Sequence, residues 1–395
     1  MSDSRRCNIL VCRYTDPPLT DEEKQKQEQA KQNGEAVPAA KNDYDITDYI
    51  LRYEWSGDVT QAARKLEFSI AHNVPGKDSS FAPLDLKLGG FITLAEKTEE
   101  SEEETEFFTG RIFFRKRSTD GYTFEFAAYD DMIYLAKSHI SMLFECSVSD
   151  GIKEICKHMG IEAAEDLPSI PTKVSFFADD KSCTEAIRML LDKAKADTAV
   201  NKEYNALCIN GAVTCVPKGE MIEDYVATDK TNVVSSEHSE SVENMVNRVI
   251  MVDEKGSVCQ TFTNTDDQTH FGTLEQVYKA KPPKKDESVD NVAEAKAMLK
   301  RTKEESSLQG LGYIQCIAGY TIKAQEENLK GNFFIKADSH SFEGNVHTMQ
   351  LTLEYLPDKQ EEPKIVQRYY REPEFKAAKK KKRKKKSSKK ETTTT

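Results

Sequence analysis

The sequence has few of the features that mark membrane, secreted or metal-binding proteins. No apolar run approaches the roughly 20 residues that a membrane-spanning helix needs, and the segment Met1–Arg6 lacks the apolar centre of a secretory signal. Nine cysteines are scattered along the chain without a Cys-x-x-Cys pair, so zinc and redox motifs have no support. These absences predict a protein made in the cytoplasm, with its cysteines as reduced, buried thiols.

Sequence motifs of catalysis are missing as well. The chain has no Gly-x-Ser-x-Gly elbow, Walker loop, His-Glu-x-x-His or dinucleotide glycine fingerprint. The acidic groups at 99–106 and Asp179-Asp180 are read as solvated loops rather than a glycosidase carboxylate pair. Cys316, His340 and His347 match no ligand spacing and are read as ordinary strand residues. We therefore predict no enzyme, no cofactor and no metal.

Charge is distributed very unevenly along the chain. The net charge is −11, and because residues 376–395 contribute +10 the remainder carries −21. The candidate electrostatic interaction tail consists of Lys379, Lys380, Lys381, Lys382, Arg383, Lys384, Lys385 and Lys386. No aromatic residues interleave with these lysines, so they favour an unspecific electrostatic tether over specific nucleic-acid reading. A polyanionic partner protein, an acidic wall polymer or solubility alone remains an alternative role.

The strongest strand signal adjoins the only tryptophan, Trp55. In Leu66–Ile70 the apolar residues alternate with Glu67 and Ser69, which is the period of a strand with one wet face. We expect Ser56-Gly57-Asp58 to begin a long connection from a preceding strand, and Trp55 to pack in a core.

Further patterns divide the chain into β-rich and mixed segments. An alternating strand is predicted at Val346–Tyr355, a hairpin across Asn210-Gly211, a helix opening near Ser149-Asp150 and ending at Gly160, and a helix over 182–195. Strands are also expected at 7–14, 91–95, 107–117, 122–129, 173–177, 246–252, 257–263 and 332–337. Residues 15–42 are too polar to support their own ordering.

Several segments, taken in order, resemble the baseplate hub proteins of contractile phage tails and phage-tail-like particles, of the PBSX-like prophage hub or late control gene D type. The segments that carry the resemblance are Tyr53–Asp58, Phe107–Phe113, Ser241–Val249, Ala295–Leu299 and Gly331–Ile335 through Met349. They cover roughly residues 44–356, and their collinearity is more specific than any one of them. The segment 15–42 and the lysine-rich end depart from the family and inherit no role.

The resemblance implies a mainly β, α+β fold with two tube-protein-like β-barrel domains flanking a small mixed αβ domain, plus a disordered insertion and tail. The implied domains are a first barrel at 1–145 with a mobile insertion at 15–43, a helical linker and αβ domain at 146–231, a second barrel at 232–356 with a helix at 289–301, and a basic tail at 357–395.

The resemblance also implies a structural role. Such hubs are homotrimers that join the hexameric tail tube protein to the trimeric spike protein, beside baseplate wedge and tape-measure proteins. The chain would then lie in the baseplate of a virion or tail-like particle assembled in the bacterial cytoplasm, and would meet the target envelope only through that particle. Two alternatives stay open: a tail-associated protein that binds or degrades cell wall, and a cytosolic nucleic-acid-binding protein.

Overall fold

The computed structural model describes residues 8–33, 43–71, 84–98, 104–117, 123–282, 289–344, 346–357 and 364–375. The chain forms two compact units, each made of segments that are separate in sequence. Unit 1 comprises residues 1–239 and 305–358, and unit 2 comprises residues 240–304 and 359–395. The segment 232–356 that the sequence predicts as one barrel domain is thus divided between the two units.

The strands before residue 230 are β1 (Asn8–Thr15), β2 (Asp43–Asp45), β3 (Ile50–Asp58), β4 (Gln61–Ala71), β5 (Phe91–Thr98), β6 (Thr105–Arg117), β7 (Thr123–Tyr129), β8 (His139–Ser147), β9 (Lys173–Ser182), β10 (Tyr204–Ile209), β11 (Ala212–Pro217) and β12 (Met221–Ala227). The later strands are β13 (Val233–Ser241), β14 (Arg248–Val252), β15 (Val258–Asn264), β16 (Glu275–Lys279), β17 (Lys303–Leu311), β18 (Thr321–Gln325), β19 (Lys330–Glu343), β20 (Val346–Leu356) and β21 (Ile365–Tyr369). The helices are α1 (Asp21–Gln32), α2 (Met132–Lys137), α3 (Val148–Met159), α4 (Cys183–Ala196), α5 (Thr265–Phe271) and α6 (Asn291–Ala297).

One sheet runs through unit 1 in the order β13-β17-β20-β19-β3-β4-β7-β6-β5-β1-β2, with β18 on β19 and β12 on β18. The predicted mainly β, α+β fold is confirmed. Strands from both predicted barrel segments belong to this single sheet, but β14, β15 and β16 of the second segment do not. The sheet encloses one hydrophobic core under its first strands and another under its last.

Strand β19 joins the two halves of that sheet. Its first part pairs with β18, its last part pairs with β3, and β20 runs along its other edge. The change of partner coincides with a β-bulge at Lys336, whose carbonyl accepts a 2.9 Å hydrogen bond from the Val59 amide. The β3–β4 hairpin is thereby fixed against the second half of the sheet.

That hairpin corrects one prediction. Ser56, Gly57 and Asp58 belong to β3, and the connection is the short turn Val59-Thr60 rather than a long loop. The Asp58 carboxylate accepts hydrogen bonds of 2.6 Å from the Thr60 amide and hydroxyl, so these donors of the turn find a partner within it.

The mixed αβ part of unit 1 follows the sequence prediction closely. Ser147 caps α3, and Gly160 ends it in the left-handed conformation with a φ of 66°. The hairpin β10–β11 turns at Asn210-Gly211, both with positive φ. These elements enclose a third core with α4 and the separate two-stranded sheet β8–β9.

The segment predicted as a mobile insertion at 15–43 contains helix α1, which the sequence patterns did not predict. Thr20 and Glu23 form a reciprocal capping box, because the Thr20 amide donates to the Glu23 carboxylate at 2.8 Å and the Glu23 amide donates to the Thr20 hydroxyl at 3.3 Å. A cap of this kind favours a helix locally even where no apolar face exists.

Unit 2 is a small sheet in the order β16-β14-β15-β21 with α5 and α6. Its core contains Val249, Met251, Phe262 and Ala295. The helix predicted at 289–301 is shorter in the structure. It begins after its N-cap Asp290, which bonds the amides of Val292 and Ala293 at 3.0 Å, and it ends before Lys300, which forms a β-bridge with Val246. None of the described helices is both long and apolar enough to cross a membrane.

Candidate functional site

A buried ion pair joins the first and second halves of the unit 1 sheet. The Arg64 guanidinium on β4 donates to both carboxylate oxygens of Asp338 on β19, at 2.9 and 2.5 Å. Asp338 also accepts the Ala318 amide at 2.6 Å. The Arg64 side chain is 6% exposed and the Asp338 side chain 0%. Because removing one partner would strand a buried charge, this pair locks β4 to β19.

Gly57 makes the ion pair geometrically feasible. Strand β3 lies between β4 and β19, and Gly57 is the residue of β3 that faces Asp338 in the register. A Cβ on Gly57 would overlap the guanidinium of Arg64. The Arg64 side chain therefore crosses over the bare backbone of Gly57 to reach two strands away.

Trp55 covers this ion pair from the core side. Its ring lies 4.0 Å below the Arg64 guanidinium carbon and packs against Phe107 and His340, with ring centroids 5.0 and 5.1 Å away. Only 2% of Trp55 is exposed. The prediction that Trp55 packs in a core is confirmed, and its partners include a cation as well as apolar groups.

Two histidines complete the arrangement. His340 Nε2 lies 3.1 Å from the Cys316 carbonyl oxygen, which can only accept, so that nitrogen carries the proton. His340 Nδ1 then accepts from His347 Nε2 at 2.9 Å. Burial lowers the pKa of His340 to about 4, and burial together with His340 lowers the pKa of His347 to about 3. We call Trp55, Arg64, Asp338, His340 and His347 the buried joint.

The hairpin carrying Arg64 is tied to the αβ part of unit 1 through Asp130. Its carboxylate accepts the Arg64 and Met132 amides, both at 3.1 Å, just before α2 begins. Burial raises the Asp130 pKa to about 7, against the opposing effect of Arg64. The joint therefore contacts all three parts of unit 1.

The joint has a structural arrangement rather than a catalytic one. Among the described residues no three His, Cys, Asp or Glu side chains are grouped to hold a metal ion. Cys316 meets His340 through its backbone carbonyl, and burial raises the pKa of its thiol further above the ordinary value. The hydrogen bonds of the joint connect its own side chains and reach the backbone of Cys316 and Ala318, while Trp55 Nε1 and Arg64 Nε are buried without a hydrogen-bond partner.

The other predicted candidates lie apart from the joint. The tail Lys379–Lys386 lies outside the described residues, as do residues 99–103 of the acidic loop. Asp179 and Asp180 are exposed on β9, not in a loop. The eight cysteines of the described ranges form no disulfide with one another and all but Cys146 are buried, which confirms the predicted burial of the thiols.

A cleft in unit 1 has a volume of about 510 Å³ and lies between α4, β10 and the β3–β4 turn. Arg188, Lys195 and Glu203 line it, with Lys195 and Glu203 paired at 2.8 Å. Among the described residues that line it, no hydrogen bond joins a nucleophilic hydroxyl to a base of the same lining.

The residues of the joint carry a sequence signal that the predictions overlooked. Arg64 has the same strand phase as Leu66 and Phe68, and Asp338 and His340 have the phase of Phe342, so all point inward. A charged residue at a core-facing position of one strand, together with an opposite charge at a core-facing position of another, predicts a buried ion pair.

Comparison with known proteins agrees with this architecture. The YQBQ-like family model matches residues 53–354. Protein YqbQ of Bacillus subtilis strain 168 is 25% identical over 257 residues, which are 62% of this chain and 77% of that protein. The phage-like element PBSX protein XkdQ of the same strain is 22% identical over 254 residues, with the same shares of 62% and 77%.

Solved structures show the same fold. The 43 kDa tail protein of prophage MuSo2 from Shewanella oneidensis gives a TM-score of 0.57 at 10% identity, over 79% of this chain and 94% of that one. The tail protein from Neisseria meningitidis MC58 gives 0.51 at 10% identity, over 79% and 93%. The fold is thus that of phage tail proteins, and the resemblance to PBSX-like prophage proteins is confirmed. Since the family model spans more than half of its residues, the chain belongs to the YQBQ-like family.

Proposed function

We propose that the protein is the structural baseplate hub of a contractile tail, a trimeric adaptor between the hexameric tail tube and the trimeric central spike. The observation that carries this proposal is the buried joint, which fixes two β halves and an αβ part as one body. An adaptor under contraction load has to transmit force without its halves separating. The tail-protein fold and the PBSX relative support the same role.

The proposed partners are two further copies of the chain, the tube protein, the spike protein, and wedge and tape-measure proteins. A chain of the Francisella PdpA-VgrG complex shares the fold with a TM-score of 0.50 at 10% identity, over 90% of this chain and 54% of that one. The proposed location is the baseplate of a virion or tail-like particle assembled in the bacterial cytoplasm.

We further propose that the protein is not an enzyme. The support is that the charged and titratable side chains of the joint bond to one another and to the backbone, and that the two chains of like fold are tail proteins. A peptidoglycan zymogram of the purified full chain tests the alternative of a wall-degrading protein. Lysis by the chain would contradict the proposal, and an intact gel beside a lysozyme lane would support it.

Electron microscopy of the particle tests the proposed position. A gold-labelled antibody against the chain should mark one site per particle, at the junction of tube and spike. The matched control is an antibody against the tube protein, which should mark the whole tube. Label spread along the tube or sheath, or none on purified particles, would contradict the hub assignment.

A further inference from the structure

The αβ part of unit 1 contains an internal duplication. Strand β8 followed by α3 repeats as strand β9 followed by α4, and the two strands pair antiparallel. Both helices begin after a serine, Ser147 and Ser182, whose hydroxyl accepts the amide of an acidic residue three positions on, at 3.2 and 3.1 Å. The helices pack together on one face of the β8–β9 ribbon.

The opposite face of the ribbon repeats the same chemistry twice. Along β8 its outward residues are His139, Ser141, Leu143 and Glu145, and along β9 they are Lys173, Ser175, Phe177 and Asp179. Each strand therefore presents a basic residue, a serine, an apolar residue and an acidic residue in the same order.

The two apolar residues lie at the centre of this face. Leu143 and Phe177 are direct cross-strand partners, 57% and 56% exposed. An outward strand position in such a face is normally polar, yet both copies place an apolar side chain there. Because the outward residues of both strands are all exposed, no other described part of the chain covers this face.

The acids lie at opposite ends of the apolar pair. Glu145 is two residues beyond Leu143 and Asp179 is two residues beyond Phe177, and the strands run in opposite directions. At roughly 3.3 Å per residue the backbone positions of Glu145 and Asp179 are about 13 Å apart along the strand direction. That distance equals the separation of residues i−2 and i+2 in an extended chain.

We propose that this ribbon face binds an extended segment of a partner protein in which an apolar residue is flanked, two positions to each side, by Lys or Arg. The apolar side chain covers Leu143 and Phe177, and the cations pair with Glu145 and Asp179.

The test uses the full chain in the bacterium that makes it. Phe177 is replaced by the photoreactive p-benzoylphenylalanine, the cells are irradiated, and the crosslinked peptides are identified by mass spectrometry. We expect one partner segment with basic residues at two positions to either side of the crosslinked apolar residue. The control places the same residue at Val234, which is 67% exposed on β13.

Charge reversal separates specific binding from contact by proximity. The Glu145→Lys/Asp179→Lys variant should lower the crosslink yield about tenfold, since like charges then face each other. The Leu143→Ser/Phe177→Ser variant should keep the wild-type melting temperature, because both side chains are exposed. A yield equal to the Val234 control, a crosslink to another copy of this face, or insensitivity to charge reversal would overturn the inference. The outcome does not depend on whether the chain is a tail hub.

Discussion

At the scale of single residues, one ion pair that crosses a glycine specifies how the strands of the unit 1 sheet are arranged. Arg64 and Asp338 are 274 positions apart in sequence, and their bond replaces the water that both charges lost on burial. A buried pair of this kind adds little net free energy, but it penalises any arrangement in which only one partner is buried. It therefore specifies how β4 and β19 sit on either side of β3.

The first prediction concerns Asp338→Asn. The substitution keeps the shape but leaves the Arg64 charge uncompensated, so we expect the free energy of unfolding to fall by about 3–5 kcal/mol in urea titrations. The Arg64→Met/Asp338→Leu double variant should recover much of that loss, because neither charge is then stranded.

Lys116→Met is the matched control for this experiment. Lys116 and Glu125 form a 3.0 Å pair whose side chains are 58% and 49% exposed, so its loss should cost less than about 1 kcal/mol. An effect of Asp338→Asn no larger than that of the control would show that the joint is not a lock.

The second prediction is acid sensitivity at His347. Its folded pKa of about 3 lies below the ordinary value of 6.5, so the unfolded chain binds a proton first as the pH falls. This histidine therefore weakens folding progressively from pH 6.5 down to about 3, and by about 2 kcal/mol at pH 5. His340, with a pKa of about 4, acts in the same direction, and Arg64 and Asp338 are the charges nearest it.

His347→Gln isolates that contribution, since glutamine keeps an N–H donor for His340 and does not titrate. The free energy of unfolding of the variant and of the wild type is measured by urea unfolding at pH 7 and at pH 5. We expect the variant to gain stability relative to the wild type as the pH falls from 7 to 5. Asp130, whose pKa is raised to about 7, acts oppositely between pH 3.8 and 7 in both proteins and cancels in the difference. His158→Gln on the exposed face of α3 is the control, and an unchanged difference for His347→Gln would refute the account.

At the scale of elements, the sequence predicted the helices and strands whose apolar residues recur at the regular spacing of that element. Strand β20, the hairpin β10–β11 and helix α3 are confirmed, because alternation, an Asn-Gly turn and a capped apolar face are local signals. Strand β17 was missed, since its sequence Lys303–Leu311 is mostly polar and its pairing with β20 is set from outside. Helix α1 was missed because only its cap, not its face, favours a helix.

The third prediction tests a local signal. Ser182 and Glu185 form a capping box at the start of α4, whose inner face lies in the core of the αβ part. Ser182→Ala should lower the free energy of unfolding by about 1 kcal/mol, because the Glu185 amide loses its acceptor. Ser175→Ala, on the exposed face of β9, is the control; a Ser182→Ala melting curve indistinguishable from it would show that the box is not stabilising.

At the scale of the whole molecule, the two described units contain cores of their own, and the chain is a member of the YQBQ-like family with the fold of a prophage tail protein. Sequence patterns identified the family's segments in order, but not the single sheet that unites the two β halves. That sheet depends on the pairing of β19 with β3, which brings together residues such as Glu54 and Ser339, 285 positions apart, and leaves no local trace.

The most direct test of the hub assignment is the mass of the native assembly, measured by native mass spectrometry on the full chain, alone and mixed with the tube and spike proteins of the same particle. We predict three copies of the 44.7 kDa chain, either alone or once those partners are present. A chain that remains a monomer with both partners present would contradict the account.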